Sequence, residues 1–196
     1  MTRRAYWDPV VIVLHWLSAI AIISLLALGL YMTRADFDAA RKFDLYQLHK
    51  ALGWLTLVLT VARLVVRALT RAPEPLATIS PMTNRLARAA HLALYGLALT
   101  VGLSGWVRIS SAIIPIPIDL FGFANVPDIA PMNLELSDAM ATTHRLAACA
   151  LAALVALHAA AALKHHFVDR DATMRRIMSA RGEGHGAHRL GTRGRR

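Results

Sequence analysis

The sequence predicts an all-α integral membrane protein, a four-helix bundle with both termini in the cytoplasm. Three observations predict it. The 196 residues are 56% hydrophobic and only 17% charged, with a mean hydropathy of +0.45, too apolar for a soluble domain of this length. The apolar residues fall in four blocks, each able to supply the about 20 residues that a bilayer crossing needs. Lys and Arg are spread unevenly between the connections, and that asymmetry sets orientation. A disordered chain would lack this apolar content. The single Cys149 leaves no partner for a disulfide scaffold.

The first span is predicted over residues 10–32, which hold no Asp, Glu, Lys or Arg. Arg3 and Arg4 precede it, as they would a signal peptide. The apolar run is longer than a signal core and no small-residue cleavage site follows, so it is read as a span. The second covers about 49–69, with Arg63 and Arg67 near its end. The third covers about 86–107 and the fourth about 140–167, with Arg88 and Arg145 near their respective starts. The N-terminus, the second connection and the chain from Lys164 onward hold 15 Lys and Arg, against 4 in the first and third connections. Both termini are then cytoplasmic. The net charge of +10 reports loops facing the cytoplasm, not a nucleic-acid partner.

The second connection, with Pro73, Pro75 and Pro81, reads as a short irregular link. The third runs from about 108 to 139 and carries Pro115, Pro117, Pro127 and Pro131. Two readings suit it: a functional segment across the outer mouth, or an interfacial lead into the fourth helix. Residues 179–196 are rich in Gly, Arg and His and are predicted to be a disordered basic tail. Residues 1–178 then form one membrane domain.

Five of the nine histidines fall within the spans: His15, His49, His91, His144 and His158. Ionisable residues inside a bilayer are costly and functional by default. A lone histidine would read as a polar residue bonded to a neighbouring helix; five need more. His144 and His158 are 14 residues apart, so they lie within about 40° of one another around the helix and about 21 Å apart along it. That suits two haems stacked across a bilayer. One metal ion would need its ligands to converge within a few ångström. Each haem requires a second axial ligand at the same depth. Helix 2 starts on the outer side with His49, which matches His144. His15, about two turns into helix 1, matches His158. Neutral imidazoles are good haem ligands, and two of them favour electron transfer over oxygen binding. His91, in the inner half of helix 3, is a rival to His15, or else a supporting or packing residue.

Arg63 sits 14 residues after His49, at inner-haem depth, where it could bond a propionate. The alternative for Arg63, and the reading for Arg67, is snorkelling to the headgroups. Lys50 and Arg145 are candidates for outer propionates or ordinary interfacial charges. His165, seven residues after His158, continues its stripe with an offset of about 20°. It suits the proton-exchanging group that a quinone needs beside a redox centre; a basic residue at a helix C-terminus is the alternative. His166 points elsewhere. Cys149, among alanines, is read as a small buried residue.

These residues resemble a known family. The carriers are Leu14-His15-Trp16-Leu17, His49-Lys50 with Arg63-Leu64, and Ala90-His91 with Leu94-Tyr95. Gly105-Trp106, Ser110-Ser111-Ala112, Phe121-Gly122, and His158-Ala159 through His165-His166-Phe167 complete the set. The chain is similar over about residues 5–178 to the bacterial cytochrome b561 family of dihaem membrane cytochromes. The resemblance implies four helices, two haem b groups ligated by His15, His49, His144 and His158, and exchange with ubiquinone at the bacterial inner membrane.

The leading expectation is an electron conduit between a periplasmic donor or acceptor and quinone. If it is an enzyme in its own right, it is a quinone-linked oxidoreductase. Some family members are assigned superoxide oxidation, and an anion favours a basic mouth; the outer connections hold 4 basic and 7 acidic residues. The alternative is a membrane-anchor cytochrome subunit docking a periplasmic dehydrogenase through the third connection. A haem-free transporter would show broken helices or inverted repeats, and neither is evident. Homo-oligomerisation is left open.

Overall fold

A computed structural model describes residues 6–74, 80–114 and 116–178. The tail 179–196, Arg3, Arg4, Pro75 and Pro115 lie outside the described residues. Four long helices dominate: α1 (Pro9–Arg34), α2 (Ala39–Leu69), α3 (Pro81–Ser110) and α4 (Leu134–Phe167). A two-stranded hairpin, β1 (Ile118–Asp119) and β2 (Asn125–Val126), lies between α3 and α4. The short α5 (Thr173–Met178) follows α4.

Each long helix opens on a residue that can accept a hydrogen bond from its first turn. Asp8 accepts from Val10 N at 3.0 Å, Asp38 from Arg41 N at 2.8 Å, Ser80 from Thr83 N at 3.1 Å and Asn133 from Leu136 N at 3.0 Å. Pro9 and Pro81 occupy first helical positions, where no N–H is missed. These caps carry the helices beyond their apolar blocks. α2 begins at Ala39, ten residues before the predicted span, so His49 lies about 15 Å inside the helix and not at its start. α4 begins at Leu134, six residues early.

All four are long and apolar enough to cross a membrane. Their apolar side chains face outward: Ile20, Ile23, Leu55, Val58, Leu92, Leu103, Leu146 and Leu157 are exposed. In hydrocarbon this is the stable arrangement, since lipid is as apolar as leucine. Contacts between helices use small groups instead. Ser18, Thr60, Ser104 and Ser110 are buried, and each hydroxyl bonds a carbonyl three or four residues back. Cys149 is exposed, contrary to its expected burial. Ala147 and Leu151 form the buried face of α4, and position 149 lies about 200° round from each.

α1 packs on α2, α2 on α3 and α3 most closely on α4, while α1 and α4 meet over a few residues. Gly102 on α3 lets α2 approach: a Cβ there would stand 2.9 Å from Leu57 Cδ1 and 3.1 Å from Leu57 Cβ. The third connection folds back on α2 and α3. Lys50 Nζ donates to the carbonyls of Ile116 and Pro117 at 3.0 Å each, and Trp106 Nε1 donates to Pro127 O at 3.1 Å. Ser110 Oγ accepts from Ile129 N at 3.1 Å. At the hairpin tip Phe121 and Gly122 have φ of 57° and 80°, and Asp119 accepts from Gly122 N.

Gly102→Ala should destabilise the bundle by about 1–3 kcal/mol through overpacking against Leu57. Thermal unfolding in detergent checks this, and Leu57→Ala in the same chain should recover part of the loss.

Candidate functional site

The four histidines of the depth argument meet in two pairs. His15 on α1 faces His158 on α4, with ring centroids 6.4 Å apart. His49 on α2 faces His144 on α4, with centroids 6.2 Å apart. His144 and His158 are 14 residues apart on one helix, so the pairs are stacked about 21 Å apart along it. At both, an imidazole of α4 reaches one of the α1–α2 half of the bundle.

Glycine makes room for two of these rings. A Cβ at Gly105 would lie 3.1 Å from Cε1 and Nδ1 of His144, and a Cβ at Gly29 would lie 3.4 Å from Cε1 of His49. The His144 ring is further oriented by its Nδ1, which donates to the Val101 carbonyl at 2.9 Å. That fixes the proton on Nδ1 and leaves Nε2 with a free lone pair. His49 Nδ1 and Trp54 Nε1 are buried without a partner among the described residues.

The pair His15–His158 lies in a more polar setting. Arg63 on α2 donates through Nη2 to His15 Nδ1 at 2.7 Å, and its guanidinium lies 5.1 Å from the Tyr95 ring centroid. His91 on α3 has its ring centroid 5.4 Å from that of His158. Arg67 lies over the Trp7 ring at 4.8 Å, a cation–π contact in place of free snorkelling. Lys50 is engaged by the third connection, and Arg145 is exposed.

Just past the His15–His158 pair, α4 ends in a polar knot. His165 Nδ1 donates to Asp171 Oδ2 at 2.7 Å and stands 3.2 Å from Asp169 Oδ2. Lys164 Nζ bonds Asp169 at 2.7 Å, so a cation already balances that carboxylate. Asp171 Oδ1 accepts from Thr173 N at 2.8 Å and starts α5. α5 is tied to the bundle where Trp16 Nε1 donates to Ile177 O at 3.1 Å and Arg176 donates to Glu74 O at 2.6 Å. His166 is exposed and packs its ring on Phe167. Asp171 escaped the sequence reading. Its signal was an Asp two residues before Thr173, a helix-start pattern just beyond an apolar span.

Burial would raise the Asp171 pKa, but hydrogen bonds from Thr173 and His165 outweigh it and hold the carboxyl below its ordinary value. A depressed folded-state value stabilises above the unfolded value and loses that contribution as pH falls through the folded one. The protection of the α5 amides, relative to their intrinsic exchange rates at each pH, should therefore be full at neutral pH and fall as pH drops below about 4, the ordinary range of a free Asp.

Four helices long enough to span a membrane thus carry two stacked, facing histidine pairs. Residues 6–180 match the family model described as prokaryotic cytochrome b561. The chain is 38% identical over 164 residues to cytochrome b561 homolog 2 of Escherichia coli (strain K12), covering 84% of this chain and 86% of that protein. It is 28% identical over 169 residues to the probable superoxide oxidase CybB of Yersinia pestis, covering 84% and 91%. The chain belongs to the prokaryotic cytochrome b561 family. It is a bacterial membrane protein, a b-type cytochrome of electron transfer that binds haem b.

The histidine pairs fit that group. Two imidazoles that bound one iron through bonds of about 2 Å would hold their ring centroids about 6 Å apart. Both pairs stand near that separation, while His91 is about 1 Å closer to His158 than His15 is.

Proposed function

We propose that the protein carries electrons across the bacterial inner membrane between a donor or acceptor at the periplasmic face and ubiquinone. Both termini are then in the cytoplasm, as the Lys and Arg asymmetry favours. The observation that carries this reading is the pair of histidine pairs at 6.2 and 6.4 Å, stacked along α4. In this reading two haem b groups are held, the outer by His49 and His144 and the inner by His15 and His158. The haems supply one-electron redox chemistry when bound; the chain supplies ligation, orientation and a proton-exchanging group.

Val101 and Gly105 present His144 with Nε2 free. Arg63 has a second task. A guanidinium only donates, so its contact makes His15 Nδ1 an acceptor and places the ring proton on Nε2. For a neutral His15 to ligate through Nε2, Arg63 must turn to another acceptor. A propionate is a suitable anionic acceptor, which favours Arg63 as the inner propionate partner. His165, beyond the inner pair and bonded to a carboxylate, is the group that would meet the quinone oxygen. The relative named as a probable superoxide oxidase makes superoxide one donor to test, against the acidic balance of the outer connections.

Purified protein should hold two b-type haems per chain by pyridine haemochrome. His49→Ala and His144→Ala should each lose the outer haem, and His15→Ala and His158→Ala the inner. His91→Ala should keep both. One haem in the unmodified chain, or an inner haem kept by His15→Ala and lost by His91→Ala, would overturn the pairing.

His165→Gln should retain both haems yet slow their reduction by a short-chain ubiquinol by at least about tenfold, the low end of a lost proton-exchanging group. An unchanged rate in stopped-flow absorbance would remove His165 from the quinone site.

A further inference from the structure

We infer that Asp171 is a positioning residue for His165, holding the imidazole proton on Nδ1 so that the Nε2 lone pair is the acceptor offered to a quinol hydroxyl. The inference rests on the quinone reading of His165 above and adds a residue to it. Three observations carry it. The Asp171 side chain is 9% exposed, and its Oδ2 stands 2.7 Å from His165 Nδ1. Its other oxygen is taken by Thr173 N at 2.8 Å, so the carboxylate is held at both ends and its orientation is set by the start of α5. α5 is itself anchored, to α1 through Trp16 and to the α2–α3 connection through Glu74 O.

A carboxylate has no proton to give, so Nδ1 must donate, and the neutral ring keeps its lone pair on Nε2. Metal-ligating histidines are oriented by the same device, and losing such a partner costs about 10–100-fold. The neighbouring carboxylate is less suited to the task. Asp169 is 33% exposed, stands 3.2 Å from Nδ1 and shares its charge with Lys164 at 2.7 Å. Oxidation of quinol to quinone gives up two protons with two electrons, and the Nε2 lone pair can accept one of those protons. A ring of fixed tautomer presents its Nε2 lone pair to the quinol hydroxyl, whereas a ring free to exchange tautomers presents it part of the time.

The test uses the full haem-loaded chain in detergent. Asp171→Asn keeps an oxygen for Thr173 N and loses the second acceptor. Nitrogen-15 histidine spectra of the reduced protein, with His165 assigned by difference against His165→Gln, read the tautomer directly. The expected result is a single Nδ1–H form in the unmodified chain and mixed tautomers in Asp171→Asn. Haem content should be unchanged, and reduction by a short-chain ubiquinol should slow by about 10-fold or more. Asp171→Glu should restore the single tautomer and part of the rate, and Asp169→Asn should leave both within about twofold of the unmodified chain. An unchanged tautomer in Asp171→Asn, or a tautomer lost in Asp169→Asn instead, would overturn the inference. If the tautomer shifts while neither Asp171→Asn nor His165→Gln alters the ubiquinol rate, the positioning stands and the quinone reading of His165 is what fails.

Discussion

In hydrocarbon a polar group has no water to fall back on. Each backbone N–H and C=O must be satisfied by its own helix, and each ionisable side chain must find a partner or a ligand. This constraint organises the bundle. It makes the spans helical and turns the buried hydroxyls of Ser18, Thr60, Ser104 and Ser110 back onto their own helices. Small groups are left at the contacts between helices. It also makes five histidines and an arginine inside the spans meaningful. Each would be a liability alone; four of the histidines meet in two facing pairs, with His91 beside His158 and Arg63 bonded to His15.

The pairs depend on close control of the backbones behind them. α3 and α4 pack most closely, and this contact brings Val101 O and Gly105 to the His144 ring. Gly102, one turn earlier, brings α3 against Leu57 of α2. The same face of α3 thus sets its distance from α2 and the tautomer of a histidine on α4. Side chains larger than glycine at these positions would separate the helices and the imidazoles together.

Much of this was legible in the sequence, for a definite reason. Rise and angle per residue are properties of any α-helix. Counting from His144 to His158, and from the ends of the apolar blocks to His15 and His49, therefore yields depths without knowledge of the packing. What depth alone cannot do is separate His15 from His91, which lie in the same half of the bundle. In the structure both rings lie beside that of His158, at 6.4 Å for His15 and 5.4 Å for His91. Arg63 was placed at the right depth, but its contact with His15 Nδ1 depends on the approach of α1 to α2. Helix ends were misjudged where α2 and α4 run on past their apolar blocks. There Asp38 and Asn133 decide the start, and hydropathy is silent. Asp171 lies beyond the last span, where a reading built on apolar length stops attending to carboxylates.

The two ends of the bundle differ in how they handle charge. At the His15–His158 end three cations are engaged, Arg63 with His15, Arg67 with Trp7 and Lys164 with Asp169, while Arg71, Arg85, Arg88 and Arg170 are exposed. At the His49–His144 end, Lys50 is occupied by two carbonyls of the third connection, while Asp44 and Asp119 line a cleft with Gln47 and Phe121. The remaining basic groups near this end, Arg41, Lys42, Arg108 and Arg145, are exposed, so salt screens them over about 8–10 Å. A mouth that concentrated anions would instead collect unscreened positive charge in a concave site. The connection that withdraws Lys50 also contributes Asp119 to the cleft, so one segment shapes both the geometry and the sign of this surface. It leaves Asp44 and Asp119 as the charged lining of this cleft.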